Sequence, residues 1–186
     1  MRLRSIPLVL PFSLAMLLAG CAPASRVSTD LFHPEYSSSR DGALQYRLPV
    51  GWFDATADPQ AAGHAAWLMR SDYGATMALD EVRLDSGARA EVRSAGLLPL
   101  SYLIISLTSG DRGTVLLEPP SLVTIKGKEM CRYTLVVSET KDTLQVTVID
   151  TGDRVYTVTA LDARKGVNGG GSLALLAEAF VATLRW

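Results

Sequence analysis

Two histidines, two cysteines and a scatter of carboxylates are what this 186-residue chain offers for acid-base, nucleophilic or metal chemistry. A Ser-His-Asp or Cys-His arrangement would have to use His64, in the loop Ala62-Gly63-His64, because His33 falls in a polar N-terminal stretch. No G-x-S-x-G elbow accompanies it. Zinc sites need three or four clustered Cys and His ligands, and the chain from Asp41 onward holds one of each, so no metal and no cofactor are expected. The carboxylates form two groups: Asp80, Glu81 and Asp85, and the pair Asp150 and Asp153 around a turn. Neither has the D-x-D-x-D-G spacing that wraps calcium, and both read as a solvated strand edge or turn. The cluster Gly169-Gly170-Gly171-Ser172 could present N–H groups to an anion, but no Lys-Ser or Lys-Thr pair follows it, and it reads as a link into a helix.

The remaining chemistry sits at Cys21. Residues 1–20 begin with Arg2 and Arg4, continue as an apolar stretch from Ile6 to Leu18, and end in small residues at Ala19 and Gly20, the layout of a secretory signal. The stretch is too short and too proline-broken, at Pro7 and Pro11, for a bilayer span of roughly 20 apolar residues. The tetrad Leu18-Ala19-Gly20-Cys21 resembles the lipobox of bacterial lipoproteins. That resemblance implies cleavage between Gly20 and Cys21, a diacylglycerol (palmitate-type) anchor on the Cys21 sulfur, and acylation of the new amino terminus. Several acyl chains give stable attachment where one gives marginal binding. Ala22 is not the Asp that in enteric lipoproteins favours retention in the inner membrane, so the resemblance implies an outer-membrane address facing the periplasm. The only other thiol, Cys131, lies in the apolar run MCRYTLVV and is expected in the core.

Composition agrees with one exported domain. Hydrophobic residues make up 48% and charged ones 20%, enough apolar content for a packed core. Removing the signal moves the net charge from -1 to -3, which excludes the concentrated basic surface that nucleic acid requires. Residues 21–40, rich in Ser, Pro and polar side chains, read as a flexible tether with a reach of roughly 25 Å. Phe32, His33 and Tyr36 would be incidental to that arm, or a docking peptide within it. The single folded domain is placed at 41–186.

Within that domain Leu44, Tyr46 and Leu48 alternate with polar residues as a half-buried strand. Strands over Ala65–Arg70 and Ala75–Leu84 form a hairpin across Asp72-Tyr73-Gly74, although neither face of the second is cleanly apolar. From Ser94 to Gly110, Leu97, Leu100, Ile104 and Leu107 recur at helical spacing, with Pro99 tolerated in the first turn. Val115–Glu118 reads as a short strand broken by Pro119-Pro120, and alternating runs around Cys131–Val137, Leu144–Val148 and Tyr156–Ala160 make a meander. Ser172 suits a helix N-cap ahead of Leu173, Leu176, Ala177, Phe180 and Leu184. The expected fold class is α+β: an antiparallel β-sheet with a middle helix and a C-terminal helix packed on it.

The entry strand Tyr46-Arg47-Leu48-Pro49-Val50-Gly51-Trp52 resembles the "aromatic, x, apolar, Pro, x, x, Trp" strand of PsbP-like domains, and the order of elements is similar over most of 41–186. The resemblance implies an α/β/α sandwich. It carries no site residues over. Poverty of catalytic sets points to a non-catalytic binding or assembly module, lipid-anchored in the cell envelope, that docks an envelope protein or polymer. Trp52, Phe53 and Tyr73, aromatics beside turns, are its candidate contact residues, or else lids on the core. The alternative is a carrier or hydrolase for lipid or cell-wall fragments, with an apolar cavity under the Leu97–Leu107 helix and His64 beside it.

Overall fold

A computed structural model describes residues 31–162 and 170–186. The expected signal (1–20), the Gly20–Cys21 cleavage site and the Cys21 anchor lie outside the described residues. So does Gly169 of the glycine cluster.

Alternation along the strands builds the architecture. β1 (Phe32–Ser38) and β2 (Gln45–Pro49) form an antiparallel ribbon. The other seven strands make one antiparallel sheet in the order β3-β4-β5-β9-β8-β7-β6. They are β3 (Trp52–Asp54), β4 (Ala66–Arg70), β5 (Ala75–Val82), β6 (Thr114–Ile125), β7 (Lys128–Val137), β8 (Thr143–Asp150) and β9 (Val155–Asp162). Three helices cover the sheet: α1 (Ser86–Ala95), α2 (Leu97–Arg112) and α3 (Gly170–Val181). On β9, Tyr156, Val158 and Ala160 point to the α3 side, while Val155 joins the α1–α2 side. The fold is the α+β arrangement expected from the hydrophobic pattern, an antiparallel sheet with helices packed on it.

The α3 side holds the larger core. Phe180 of α3 packs against Tyr46 of β2 with ring centroids 5.8 Å apart, over Met77, Leu79, Tyr156 and Val158. Met77 and Leu79 are 1% exposed, which settles which face of β5 is the core face. Leu173, Ala177, Phe180 and Leu184 are buried as their spacing predicts. Ser172, however, lies inside α3 and not at its N-cap, because the helix already includes Gly170.

Four further expectations are corrected. The expectation of a tether over 21–40 fails in its second half, since residues 32–38 form β1 and Phe32 is 4% exposed in the α3-side core. The Ser94 start for the middle helix missed α1 altogether, a helix capped at Asp85, whose carboxylate accepts the Ala88 N–H at 2.7 Å. α2 also runs through Gly110 to end at Gly113, which adopts the left-handed conformation (φ 55°) that a helix C-terminus favours. Finally, Pro119-Pro120 do not split a strand. They fall in the irregular stretch between Leu116 and Ser121 of the continuous edge strand β6, where no ladder N–H is needed on the outer side.

Candidate functional site

Between α2 and the sheet lies a cavity of about 460 Å³, within the range of small-ligand pockets. Its floor is the sheet face opposite α3. Strand alternation brings Val82 of β5, Thr157 and Thr159 of β9, Val146 of β8 and Tyr133 and Leu135 of β7 to that face. Its roof is Ile104, Leu107 and Thr108 of α2. β9 contributes Thr157 and Thr159 to this face and Tyr156 and Val158 to the other. Burial pushes the Tyr133 phenol far up, so it is neutral at any physiological pH.

His64 and Asp80 stand at the rim, the only ionisable residues besides Tyr133 that line the cavity among the described residues. The His64 Nδ1 lies 2.5 Å from the Asp80 carboxylate, and each side chain is about a third exposed (32% and 34%). The hairpin register makes the pair: Ala66 opposes Leu79, and the Ala65 N–H donates to the Leu79 carbonyl at 2.8 Å, which brings the next residue back along the chain beside Asp80. With Nδ1 held by the carboxylate, the imidazole retains Nε2 as a second polar atom for a bound group. Among the described lining residues every hydroxyl belongs to Thr or Tyr, and none of the lining residues is Ser or Cys. Thr108 uses its hydroxyl to donate to the Ile104 carbonyl at 2.9 Å. The arrangement is one hydrogen-bonded His-Asp pair beside a largely apolar cavity.

Other sequence candidates are dispersed. Cys131 is fully buried, and burial raises its thiol against the hydrogen bond from Ser101, so it behaves as a small hydrophobe. Of the acidic groups, Asp80 serves His64, Glu81 lies 3.8 Å from the Arg154 guanidinium, Asp85 caps α1, and Asp150 accepts the Gly152 N–H at 2.7 Å. The described residues contain no group of three or more His, Cys, Asp or Glu placed to hold a metal ion. Trp52, at 6% exposed, is part of the α3-side core and is not available as a surface contact. Phe53 and Tyr73 are exposed at 37% and 72%, and their rings meet edge to face with centroids 5.9 Å apart.

α2 carries apolar side chains on its outer as well as its inner side. Leu97, Leu100 and Ile104 point inward, whereas Leu98, Tyr102 and Leu103 are exposed on the outer side, and no charged residue occurs from Leu97 to Thr108. An apolar groove of about 200 Å³ separates it from α1. No helix among the described residues is long and apolar enough to cross a membrane.

The element order and layering match two solved structures. The cyanobacterial PsbP (CyanoP) of Synechocystis sp. PCC 6803 superposes with a TM-score of 0.53 at 14% identity, over 81% of this chain and 91% of that one. The fold is PsbP/Mog1-like. The Ran-binding protein Mog1p of Saccharomyces cerevisiae gives the same TM-score of 0.53 at 11% identity, over 83% of this chain and 95% of that one. No family model and no curated protein matches the sequence. At these identities the PsbP/Mog1-like likeness speaks to architecture alone, so the site must be read from its own residues.

Sequence reasoning named His64 and the space under the Leu97–Leu107 helix, but not the partnership of His64 with Asp80 or the role of Thr157 and Thr159. The signal was present in the β4–β5 hairpin, whose register pairs Ala66 with Leu79 and so carries His64 to Asp80.

Proposed function

We propose that this protein is a lipid-anchored, non-catalytic binding module of the cell envelope, held at Cys21 in the outer membrane and facing the periplasm, and that its ligand is an apolar or amphiphilic molecule seated beneath α2. The lipobox-like Leu18-Ala19-Gly20-Cys21 supports the address. The observation that carries the binding role is the 460 Å³ cavity with a single polar pair at its rim. Such a chamber suits an acyl chain or a lipid-linked cell-wall fragment, with the apolar part inside and the head at His64 and Asp80. A carrier is favoured over a hydrolase because the lining holds no serine or cysteine beside the histidine.

The test is displacement of an environment-sensitive fluorescent fatty acid. The wild-type protein takes up the probe in the low micromolar range, and Val146→Phe, which fills the chamber, loses it. Equal uptake by both removes the cavity reading. Intact mass of the mature chain checks the anchor separately: it should begin at Cys21 and carry added acyl mass.

A second reading, docking of an envelope protein or polymer, is favoured by the uncharged outer face of α2, where Leu98, Tyr102 and Leu103 are exposed.

A further inference from the structure

An exposed apolar pole lies where the chain enters the domain from the Cys21 side. Val50, in the turn between β2 and β3, is 58% exposed. Its N–H donates to the carbonyl of Leu31 at 2.9 Å, and Leu31, the first described residue, is itself 46% exposed. The Ser71 N–H and hydroxyl donate to the Gly51 carbonyl at 2.9 and 2.8 Å, which ties the β4–β5 turn to the same place. At the tip of that turn Tyr73 adopts a positive φ of 56° and stands 72% exposed, its ring against Phe53. Two exposed pairs, Leu31 with Val50 and Phe53 with Tyr73, thus lie on segments that backbone hydrogen bonds join near the entry of the chain.

We propose that Leu31, Val50, Phe53 and Tyr73 rest in the interfacial zone of the bilayer that holds the Cys21 anchor, an orientation that depends on the anchor reading given above. Ten residues lead from Cys21 to Leu31, so whatever their conformation this pole lies within about 35 Å of the acylated sulfur. A tether this short makes contact with the membrane an intramolecular event, and a small patch too weak to recruit a protein by itself is then sufficient. The chemistry suits that zone, because tyrosine places an apolar ring in the acyl boundary and its hydroxyl among headgroups. Arg70 beside the patch is paired to Asp72 at 2.7 Å, so the contact is apolar and insensitive to lipid charge. The outer face of α2 is apolar too, but the strand that follows Leu31, β1, pairs with β2 and buries Phe32 in the α3-side core, away from α2.

The orientation is read with the acylated full-length mature protein in phosphatidylethanolamine vesicles, with and without phosphatidylglycerol. A nitroxide is placed at Tyr73→Cys, with Leu175→Cys on α3 and Leu103→Cys on α2 as comparison sites. Cys131 is fully buried and does not take the label. The expected result is a residue-73 label shielded from a water-soluble nickel relaxant but open to oxygen in both lipids, labels at 103 and 175 that nickel relaxes freely, and loss of the residue-73 shielding in a Val50→Asp background. A residue-73 label as accessible as that at 175, or shielding at 103 in its place, overturns the orientation while leaving the anchor standing. Dipolar broadening at 73 that survives dilution in lipid indicates a second copy on the patch and also overturns it. A mature mass without acyl chains overturns the anchor and this orientation together, and is distinguished by that mass.

Discussion

The two faces of the sheet are built by the same strands and filled differently. Toward α3, Tyr46, Tyr156 and Phe180 are each at most 1% exposed and interlock with Leu68, Met77 and Leu79. Toward α2, Thr157 and Thr159 leave about 460 Å³ open, and the covering helix is apolar on its outer side as well. Interiors normally pack to crystal-like density, so a face that keeps a chamber has given up contacts that the other face makes. The α3 face is densely filled, and the α2 face keeps open space.

The contrast should appear first in stability. Phe180→Ala on the packed face is expected to cost about 3–5 kcal/mol in denaturant unfolding, since it opens a void among rigid neighbours. Ile104→Ala, equally apolar but bordering space that already exists, should fall near the low end for such truncations, about 2 kcal/mol. Equal losses at the two sites would mean that the α2 face is as tightly packed as the other.

The polar tie at the margin of the packed face comes next. Burial alone would raise the Asp41 carboxyl, yet hydrogen bonds from Ser39, the Ala43 N–H and Tyr156, with the Arg154 guanidinium alongside, hold it below its ordinary value. A carboxylate with a lowered folded-state pKa adds stability above its unfolded pKa and loses it as pH falls through the folded value. Asp41→Asn should therefore cost about 1 kcal/mol at neutral pH, allowing for solvent screening of a partly exposed pair. The gap between variant and wild type should close as pH drops from about 5 to below 3. A gap that widens on acidification contradicts the assignment.

Smaller stability effects belong to the chamber. Val146→Phe should change unfolding free energy by about 1 kcal/mol or less, because the added ring enters empty space, while abolishing probe uptake. His64→Asn and Asp80→Asn should each stay within about 0.5 kcal/mol, as expected of half-exposed side chains. Their signature is selectivity: the ratio of fatty-acid uptake to methyl-ester uptake should change, measured by competition. Unchanged selectivity would remove the dyad from the site.

Legibility in the sequence followed the same division. The α3 stripe of Leu173, Ala177 and Phe180 and the β7–β9 meander were plain, because a densely packed face needs large apolar residues at regular spacing. β1 was hidden because of its residues only Phe32 is buried, so its sequence FHPEYSS looks like a linker. α1 was hidden because Val92 is the only large apolar side chain among its ten residues, although the Asp85 cap was there to be read. β6 was read as broken because two prolines usually end a strand, and only its position at the sheet edge explains why they do not. The chamber could be suspected from the breadth of the α2 stripe, but an absence of side-chain volume on β9 becomes visible only once Thr157 and Thr159 are known to face that helix.

Native mass spectrometry of the protein purified from the envelope tests the central claim most directly. The account predicts a population that carries a noncovalent guest of a few hundred daltons, released on activation and missing from Val146→Phe. A wild-type protein that shows only the mass of the chain and its covalent anchor, indistinguishable in guest content from the filled variant, would contradict it.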